Sequence, residues 1–189
     1  MDILLASNNS NKHVELQNIF KENNCTHNLI SFEGIPSVVE DRQSIKENSK
    51  KKAKECYEKF EIPVLADDSG LFVRALNDKP GVHSKRFAGE NATDFENIEK
   101  IISDLKDKVD FFAIFKTVLC FYDGKKFIFS EGVLNGTIIL TPRGTNGFGY
   151  DSIFEVGGKT LAEMTLAEKS QISHRKLATV KLVNKLNEI

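Results

Sequence analysis

The sequence predicts an α/β fold around a mixed β-sheet, and three observations support this prediction. Short apolar strands alternate with amphipathic helical patterns in the first third of the chain. Two β-rich runs separated by Asp123-Gly124 follow in the middle, and helical patterns close the chain from about Thr165. The 189 residues suit one domain, 1–189, or two lobes that share one core.

The elements of the first half follow from apolar spacing and capping residues. The apolar run predicts a short buried strand at 3–6 and a helix after it that runs to about Glu22. A second helix, 44–60, begins with the spacing of a capping box. The next strand, 64–66, is expected to end at the polar run 67–70.

The second half contains one helix and a predicted hairpin. Capping-box spacing places the helix at 93–105. The β-rich runs 111–122 and 125–134 are separated by an Asp-Gly pair, which favours a tight hairpin because both residues tolerate a positive φ. Asn135-Gly136 predicts a further turn into a strand at 137–140.

Composition and charge argue against several classes of protein. The 26 basic residues are matched by 27 acidic ones, so the chain lacks the basic excess of a nucleic-acid-binding protein. No apolar run approaches the ~20 residues that a membrane span needs, and the N-terminus lacks the basic start of a signal peptide. Three widely spaced cysteines without metal-ligand spacing lead us to expect a reduced, cytoplasmic protein.

The first of four polar segments, 7–12, lies between a strand and a helix. Backbone N–H groups at a helix start, together with Lys12, suit an anion such as phosphate. The segment lacks the glycine pattern of a P-loop. A strand–helix turn, in which Asn and Ser serve only as capping residues, is the alternative interpretation.

The second segment is Asp67-Asp68-Ser69-Gly70, at the predicted end of an apolar strand. Adjacent carboxylates there are costly unless they are solvated, paired or bound to a cation. Mg²⁺ prefers a few carboxylates together with phosphate oxygens and water, and Glu40 or Asp41 could supply a second carboxylate. A polar turn after a strand remains the alternative.

Two further polar segments offer groups for a base and its phosphates. Glycines in 144–151 allow a backbone to approach a ligand closely, while Phe148 and Tyr150 have flat faces for stacking. Lys169 and the segment 173–175 place fixed donors that suit phosphate or a purine edge. A plain surface loop and a solvated helix face are the alternatives.

Lys52 is the lysine of the second helix that borders its apolar face, seven residues after Ile45 and four before Cys56. We therefore expect its side chain to run along the core edge into a cleft. Together the segments supply carboxylates for a cation, cations for phosphates and aromatic rings for a base, which is typical of a nucleoside-triphosphate site. No Ser–His–Asp hydrolase motif is present, and the four histidines lack zinc-ligand spacing.

The polar segments also lie in an order that resembles a known family. Residues 7–12 are similar to an N-terminal Thr/Ser-x-Asn-x-x-Lys motif, and 65–71, Leu-Ala-Asp-Asp-Ser-Gly-Leu, resembles a hallmark segment. Further matching segments are 47–53, 80–89, 147–151, 162–169 and 173–175. Over nearly all of its length the chain resembles the inosine/xanthosine triphosphate pyrophosphatases (Ham1-like), which remove non-canonical purine nucleotides.

The resemblance implies both an architecture and a reaction. The implied fold is elongated, with a long mixed sheet, two lobes and an active-site cleft between them, in a homodimer that depends on Mg²⁺. The implied reaction converts a nucleoside triphosphate and water to the monophosphate and pyrophosphate. ITP, dITP and XTP are the implied substrates, in preference to ATP and GTP.

The resemblance also implies roles for individual residues. Asp68 would be the general base and a metal contact, with Glu40 as the other metal contact. The implied substrate-binding residues are Ser7, Asn8, Asn9, Ser10, Asn11, Lys12, Lys52, Ser69, Phe148, Gly149, Tyr150, Asp151, Lys169, His174 and Arg175. Two departures are present: Asn8 stands where the family often has Gly, and the spacing before the second helix leaves Glu40 and Asp41 as alternative metal ligands.

Two other functions remain open from the sequence. A non-catalytic nucleotide-binding or sensor protein would keep the same residues and lose turnover, although the intact Asp67-Asp68 pair argues against it. A nucleic-acid-binding module is disfavoured by the near-neutral charge.

Overall fold

The computed structural model describes residues 1–32 and 34–188. Within them the chain forms an α/β structure whose eight strands belong to one sheet with parallel and antiparallel pairs, which confirms the predicted fold class. No helix in these ranges is long and apolar enough to span a membrane.

The elements follow one another as alternating strands and helices. The helices are α1 Ser10–Glu22, α2 Ile45–Phe60, α3 Asp94–Leu105, α4 Leu166–Ile172 and α5 His174–Leu186. The strands are β1 Asp2–Leu5, β2 Asn28–Ile30, β3 Val64–Val73, β4 Lys79–Pro80, β5 Phe112–Tyr122, β6 Phe127–Ile138, β7 Phe154–Val156 and β8 Lys159–Thr160.

The chain divides into two compact units. The first unit contains residues 1–68, 117–132 and the C-terminal part from His174, and the second contains 69–116 and 133–173. Strands β3, β5 and β6 each contribute residues to both units. The single domain over 1–189 stays a prediction.

The first unit has a sheet with the strand order β2-β1-β3-β5-β6, in which β1 is parallel to both β2 and β3. Successive side chains of a strand point to opposite faces, and two separate cores result. Leu5 and Leu65 pack with residues of α1 and α5 in one core. Leu4 and Ala66 pack with residues of α2 in the other. The next two residues of β3, Asp67 and Asp68, therefore face different helices.

The second unit continues the same three strands and adds short antiparallel ones. The end of β3 pairs with β4, with Phe72 opposite Pro80, and β7 pairs with both β6 and β8. Helix α3 begins with the capping box that Thr93 and Glu96 predict. Its residue Ile101 is fully buried in a core that includes Leu71 and Phe154.

The strand that carries the acidic pair is longer than predicted. The expected end at residue 66 is wrong, because β3 continues to Val73 and is extended by antiparallel pairing with β4. Gly70 permits this close approach, since a Cβ there would lie 2.5 Å from the carbonyl oxygen of Gly81. Asp67, Asp68 and Gly70 therefore lie inside a strand and not in a turn.

The central hairpin forms, but its boundaries differ from the prediction. The connection between β5 and β6 is 123–126, and Asp123 Oδ1 accepts hydrogen bonds from the amides of Lys125 and Lys126 at 2.9 and 2.8 Å. The predicted turn at Asn135-Gly136 is wrong, because β6 runs through it to Ile138. Gly136 is needed for packing, since a Cβ there would lie 2.5 Å from the ring of Phe154.

Candidate functional site

Asp67 and Asp68 are neighbours in β3 whose side chains have different partners. Asp67 continues the alternation of Leu65 and contacts α1 and α5, whereas Asp68 continues that of Ala66 and contacts α2. The structure therefore separates the adjacent carboxylates by the pleat of the strand.

Asp67 lies at the centre of a buried ion cluster. Lys12 of α1 donates to its Oδ1, and Arg175 of α5 donates from Nε to its Oδ2 at 3.0 Å. Burial alone would raise the pKa of Asp67, but the charges of Lys12, Arg175 and Lys52 outweigh it and hold this pKa far below its usual range. Asp67 is consequently an ionised anchor for two cations.

Glu15 completes this cluster, although it belongs to none of the four polar segments of the sequence. Its Oε2 accepts a hydrogen bond from Arg175 Nη1 at 2.6 Å, so the guanidinium lies between Glu15 and Asp67. Burial lowers the pKa of Arg175, but both carboxylates more than compensate and keep it protonated. Glu15 follows Lys12 by three residues, which places both on one face of α1, and this spacing could have identified it.

Asp68 has the opposite electrostatic character. Burial raises the pKa of Asp68 to about 6; the nearby charges of Glu40 and Asp67 add to the rise, while Lys52 opposes it. Lys52 Nζ lies 3.5 Å from Asp68 Oδ1 and donates to Glu40 Oε1 at 2.8 Å. A carboxylate with this pKa can exchange a proton near neutral pH.

Lys52 is placed as its sequence position predicts, at the edge of the α2 core. Besides the two carboxylates, its ammonium donates to the backbone oxygen of Asp67 at 2.6 Å. Burial lowers the pKa of Lys52, but the charges of Asp68, Glu40 and Asp67 outweigh it and raise the pKa above its usual value. The lysine therefore stays protonated beside Asp68.

Glu40 and Asp41 are distinguished by their partners. Asp41 is exposed and pairs with Lys51 at 2.9 Å, whereas Glu40 shares the ammonium of Lys52 with Asp68. No group of three or more His, Cys, Asp or Glu side chains in the described residues is placed to hold a metal ion. Two carboxylates together with phosphate oxygens are nevertheless a set that Mg²⁺ uses, so Glu40 and Asp68 fit such an ion.

The segment 7–12 connects β1 to α1 and caps that helix. The side chain of Asn9 accepts from the amides of Asn11 and Lys12 at 3.0 and 3.3 Å, which confirms the capping role. Asn8, Asn9, Ser10 and Asn11 are exposed at the start of α1. Among the segment's side chains, that of Lys12 reaches the buried cluster.

The second unit contains the predicted base-binding residues 148–151 and Lys169, whereas His174 is buried in the first unit. Asp151 is buried and accepts from the backbone N–H of Phe148 at 2.8 Å and from Lys169 Nζ at 2.5 Å. The same ammonium lies 5.0 Å from the centre of the Phe148 ring. Tyr150 is buried, and its hydroxyl donates to the Ser84 carbonyl at 2.7 Å, so Phe148 is the more accessible of the two rings.

The glycine-rich loop before Phe148 is held against the residues that precede α4. Asn146 donates from its backbone N–H to Ala162 O and from Nδ2 to Met164 O, both at 3.0 Å. Gly144 has a φ of +79°, and a Cβ there would lie 2.3 Å from the Ala162 carbonyl. The loop is therefore exposed at the surface but anchored to the protein through these contacts.

Comparison with known proteins identifies the relatives of this chain. The model of the Ham1 family matches residues 3–185, a range that includes every predicted site residue. The chain belongs to the Ham1 family. The dITP/XTP pyrophosphatases of Thermoanaerobacter sp. (strain X514) and Shouchella clausii are 44% and 38% identical to it, over 97% and 96% of this chain and 96% and 94% of theirs.

Solved structures of Ham1 proteins agree with the fold. A HAM1 protein from Coxiella burnetii superposes with a TM-score of 0.92 at 38% identity, with 100% of both chains covered. The Staphylococcus aureus Ham1 protein has a TM-score of 0.88 at 36% identity, covering 100% of this chain and 99% of that one. The family resemblance that the sequence motifs indicate is confirmed.

Proposed function

We propose that this Ham1 protein hydrolyses the non-canonical purine nucleoside triphosphates ITP, dITP and XTP to the monophosphate and pyrophosphate, and so cleanses the nucleotide pool. The observation that carries the proposal is a buried carboxylate, Asp68, with a pKa raised to about 6 beside Lys52 and Glu40. Relatives of nearly the same length that are called dITP/XTP pyrophosphatases support it.

The triphosphate is proposed to bind to cations of the first unit. Lys12 and Lys52 are both buried in ion clusters, which fixes their positions before a substrate arrives. Such preorganised cations stabilise the charge that develops on the departing pyrophosphate. Residues Ser7, Asn8, Asn9, Ser10 and Asn11 are proposed to contribute hydroxyl, amide and backbone donors.

Asp68 is proposed to accept a proton from the water that attacks the α-phosphorus. Burial raises its pKa to about 6 in the absence of a metal, and a bound Mg²⁺ would lower this pKa, so that the carboxylate is deprotonated and able to accept a proton at neutral pH. Glu40 and Asp68 would hold Mg²⁺, which when bound would neutralise charge on the triphosphate. The hydroxyl of Ser69, the next residue in β3, is proposed to contact the substrate.

The base and sugar are proposed to bind to Phe148, Gly149, Tyr150, Asp151 and Lys169, with His174 and Arg175. The ring of Phe148 offers a stacking face, and the ammonium of Lys169 offers a donor that suits a 6-oxo group. A site built from such donors discriminates strongly, because a 6-amino purine would leave buried polar groups unpaired.

We further propose that the active form is a cytoplasmic homodimer that acts on free nucleotides and requires neither nucleic acid nor a membrane. Sedimentation equilibrium would measure the mass directly. A monomeric mass at concentrations where the enzyme is active would contradict the dimer.

Incubation with ITP, dITP, XTP, ATP and GTP in Mg²⁺, followed by measurement of pyrophosphate, tests the main proposal. We expect pyrophosphate to be released from the oxo-purine triphosphates well above the rate for ATP. Release of orthophosphate alone, or equal rates for all five, would contradict it. Calorimetric binding of ITP without turnover would instead support the non-catalytic sensor.

A further inference from the structure

A groove of about 480 Å³ lies in the first unit, and none of its lining residues belongs to the candidate site. It runs along residues 129–131 of β6, which is the last strand of this unit's sheet, because β6 pairs with β7 only further on, at Thr137 and Ile138. Side chains from the first turn of α2 and the last two turns of α5 form its walls.

Three lysines line the groove. Lys181 Nζ donates to the carbonyl of Glu131 at 2.9 Å, and Lys185 Nζ donates to the carbonyl of Phe129 at 2.7 Å. Lys46 Nζ lies 4.9 Å from the centre of the Phe129 ring. Lysines that cover the carbonyls of an edge strand protect it from pairing with other chains. Each ammonium has three donors, however, so one carbonyl leaves two N–H groups for a ligand.

Ser130 supplies an observation that edge protection does not explain. It lines the same groove and is 5% exposed, and its hydroxyl has no hydrogen-bond partner among the residues that the structure describes. A buried hydroxyl without a partner is unfavourable, because it has given up its hydrogen bonds to water without replacing them. An oxygen-rich anion held by the neighbouring lysines would supply the missing partner.

Charge and size indicate the class of ligand. The three lysines and Glu131 give the groove a net charge of about +2. This charge is opposite in sign and similar in size to the negative charge of a phosphate monoester at neutral pH. The volume exceeds that of a phosphate group and falls within the range of small-molecule sites. The ring of Phe129 adds an apolar surface for an organic group. We propose that this groove binds the phosphate of a small organic phosphate monoester.

Phenyl phosphate and inorganic phosphate are the probes for this proposal, with binding followed by amide chemical shifts of ¹⁵N-labelled protein. We expect saturable shifts centred on Ser130 and Phe129, with phenyl phosphate tighter than inorganic phosphate. Replacing Lys181 and Lys185 together by Gln should weaken binding at least about tenfold. The matched control is Lys50→Gln: Lys50 lies on α2 over the ring of Phe127 and outside the groove, so binding should persist.

Ser130→Ala keeps the test decisive if the double lysine variant fails to fold. This variant should bind phenyl phosphate about 3–10-fold more weakly while unfolding at the same or a higher urea concentration, because it removes an unpaired buried hydroxyl. Three results would overturn the proposal: no saturable shifts, equal weakening by Lys50→Gln, or tighter binding of a short single-stranded oligonucleotide through the same residues.

Discussion

Replacing Asp67 or Asp68 by Asn should have opposite consequences for stability and catalysis. The two substitutions are chemically identical and occur at adjacent positions of one strand. Asp67 is surrounded by Lys12 and Arg175, whereas Asp68 faces Lys52 and Glu40. The comparison therefore isolates the surroundings from the residue type.

Asp67→Asn should destabilise the protein strongly. The new amide would turn an NH₂ group toward a cation and leave Arg175, which is almost fully buried, with Glu15 as its remaining carboxylate in this cluster. Removing one partner of a buried ion pair costs about 3–5 kcal/mol. For a chain of this length that loss corresponds to a fall of roughly 6–20 °C in Tm.

Asp68→Asn should leave stability nearly unchanged while removing turnover. The folded pKa of about 6 exceeds the ordinary value of 3.8, so the stability that Asp68 contributes is complete below pH 3.8 and is lost as the pH rises through about 6. At pH 7 a neutral amide avoids the cost of a buried charge, and the free energy of unfolding should fall by less than about 1 kcal/mol. Loss of the general base should lower kcat by at least about 100-fold.

Urea unfolding at pH 7, followed by circular dichroism in EDTA, measures the free energies of unfolding of the two variants. Pyrophosphate release from ITP in Mg²⁺ measures their kcat. Unfolding of Asp67→Asn within about 1 kcal/mol of the native protein would contradict the role of Asp67 as an anchor. A loss of stability in Asp68→Asn as large as that in Asp67→Asn, or a near-native kcat, would contradict the role of Asp68 as the general base.

Three further predictions concern other parts of the chain. Lys52→Met should lower kcat about 100-fold in the pyrophosphate assay, because the ammonium that contacts Glu40 and Asp68 is lost. Gly144→Ala should lower the free energy of unfolding by about 2–4 kcal/mol through its φ of +79° and the clash with Ala162, whereas Gly157→Ala, with a φ of +61° and open space, should cost about 1 kcal/mol. Burial raises the pKa of Cys56 to about 11 and that of Cys120 to about 12. A thiol reagent at pH 8 should therefore modify these two cysteines only after the protein unfolds. The stability that the two thiols contribute should be lost as the pH rises above 9.0.

Much of the fold follows from local rules in the sequence. Capping residues fix the starts of α2 and α3, where Ser44 accepts from the Glu47 amide and Thr93 from that of Glu96. The rules fail where glycine serves tertiary packing. Asn135-Gly136 is a sequence typical of a turn, yet the missing side chain of Gly136 leaves room for the ring of Phe154. Phe154 lies 18 residues further along the chain, and no local pattern connects the two.

The sequence predicts which residues belong to the candidate site, but it does not predict which of them form ion pairs with one another. Spacing along α2 identifies Lys52 among several lysines, and the structure places it against Asp68. Nothing local indicates that Arg175, far along the chain, pairs with Asp67 and Glu15. Such contacts depend on α1 and α5 packing on the same face of β3, which is a tertiary arrangement.

The length of β3 matters for function because it places Asp67 and Asp68 inside a strand. In a turn, the two carboxylates would form one solvated group with one role. Inside a strand they point to opposite faces, and the order of two identical residues becomes meaningful. The pairing of Leu5 with Leu65 sets this register, and a slip by one residue would exchange the surroundings of the two carboxylates. One strand thereby supplies an ionised anchor for Lys12 and Arg175 on one side and a carboxylate that can exchange protons near neutral pH on the other.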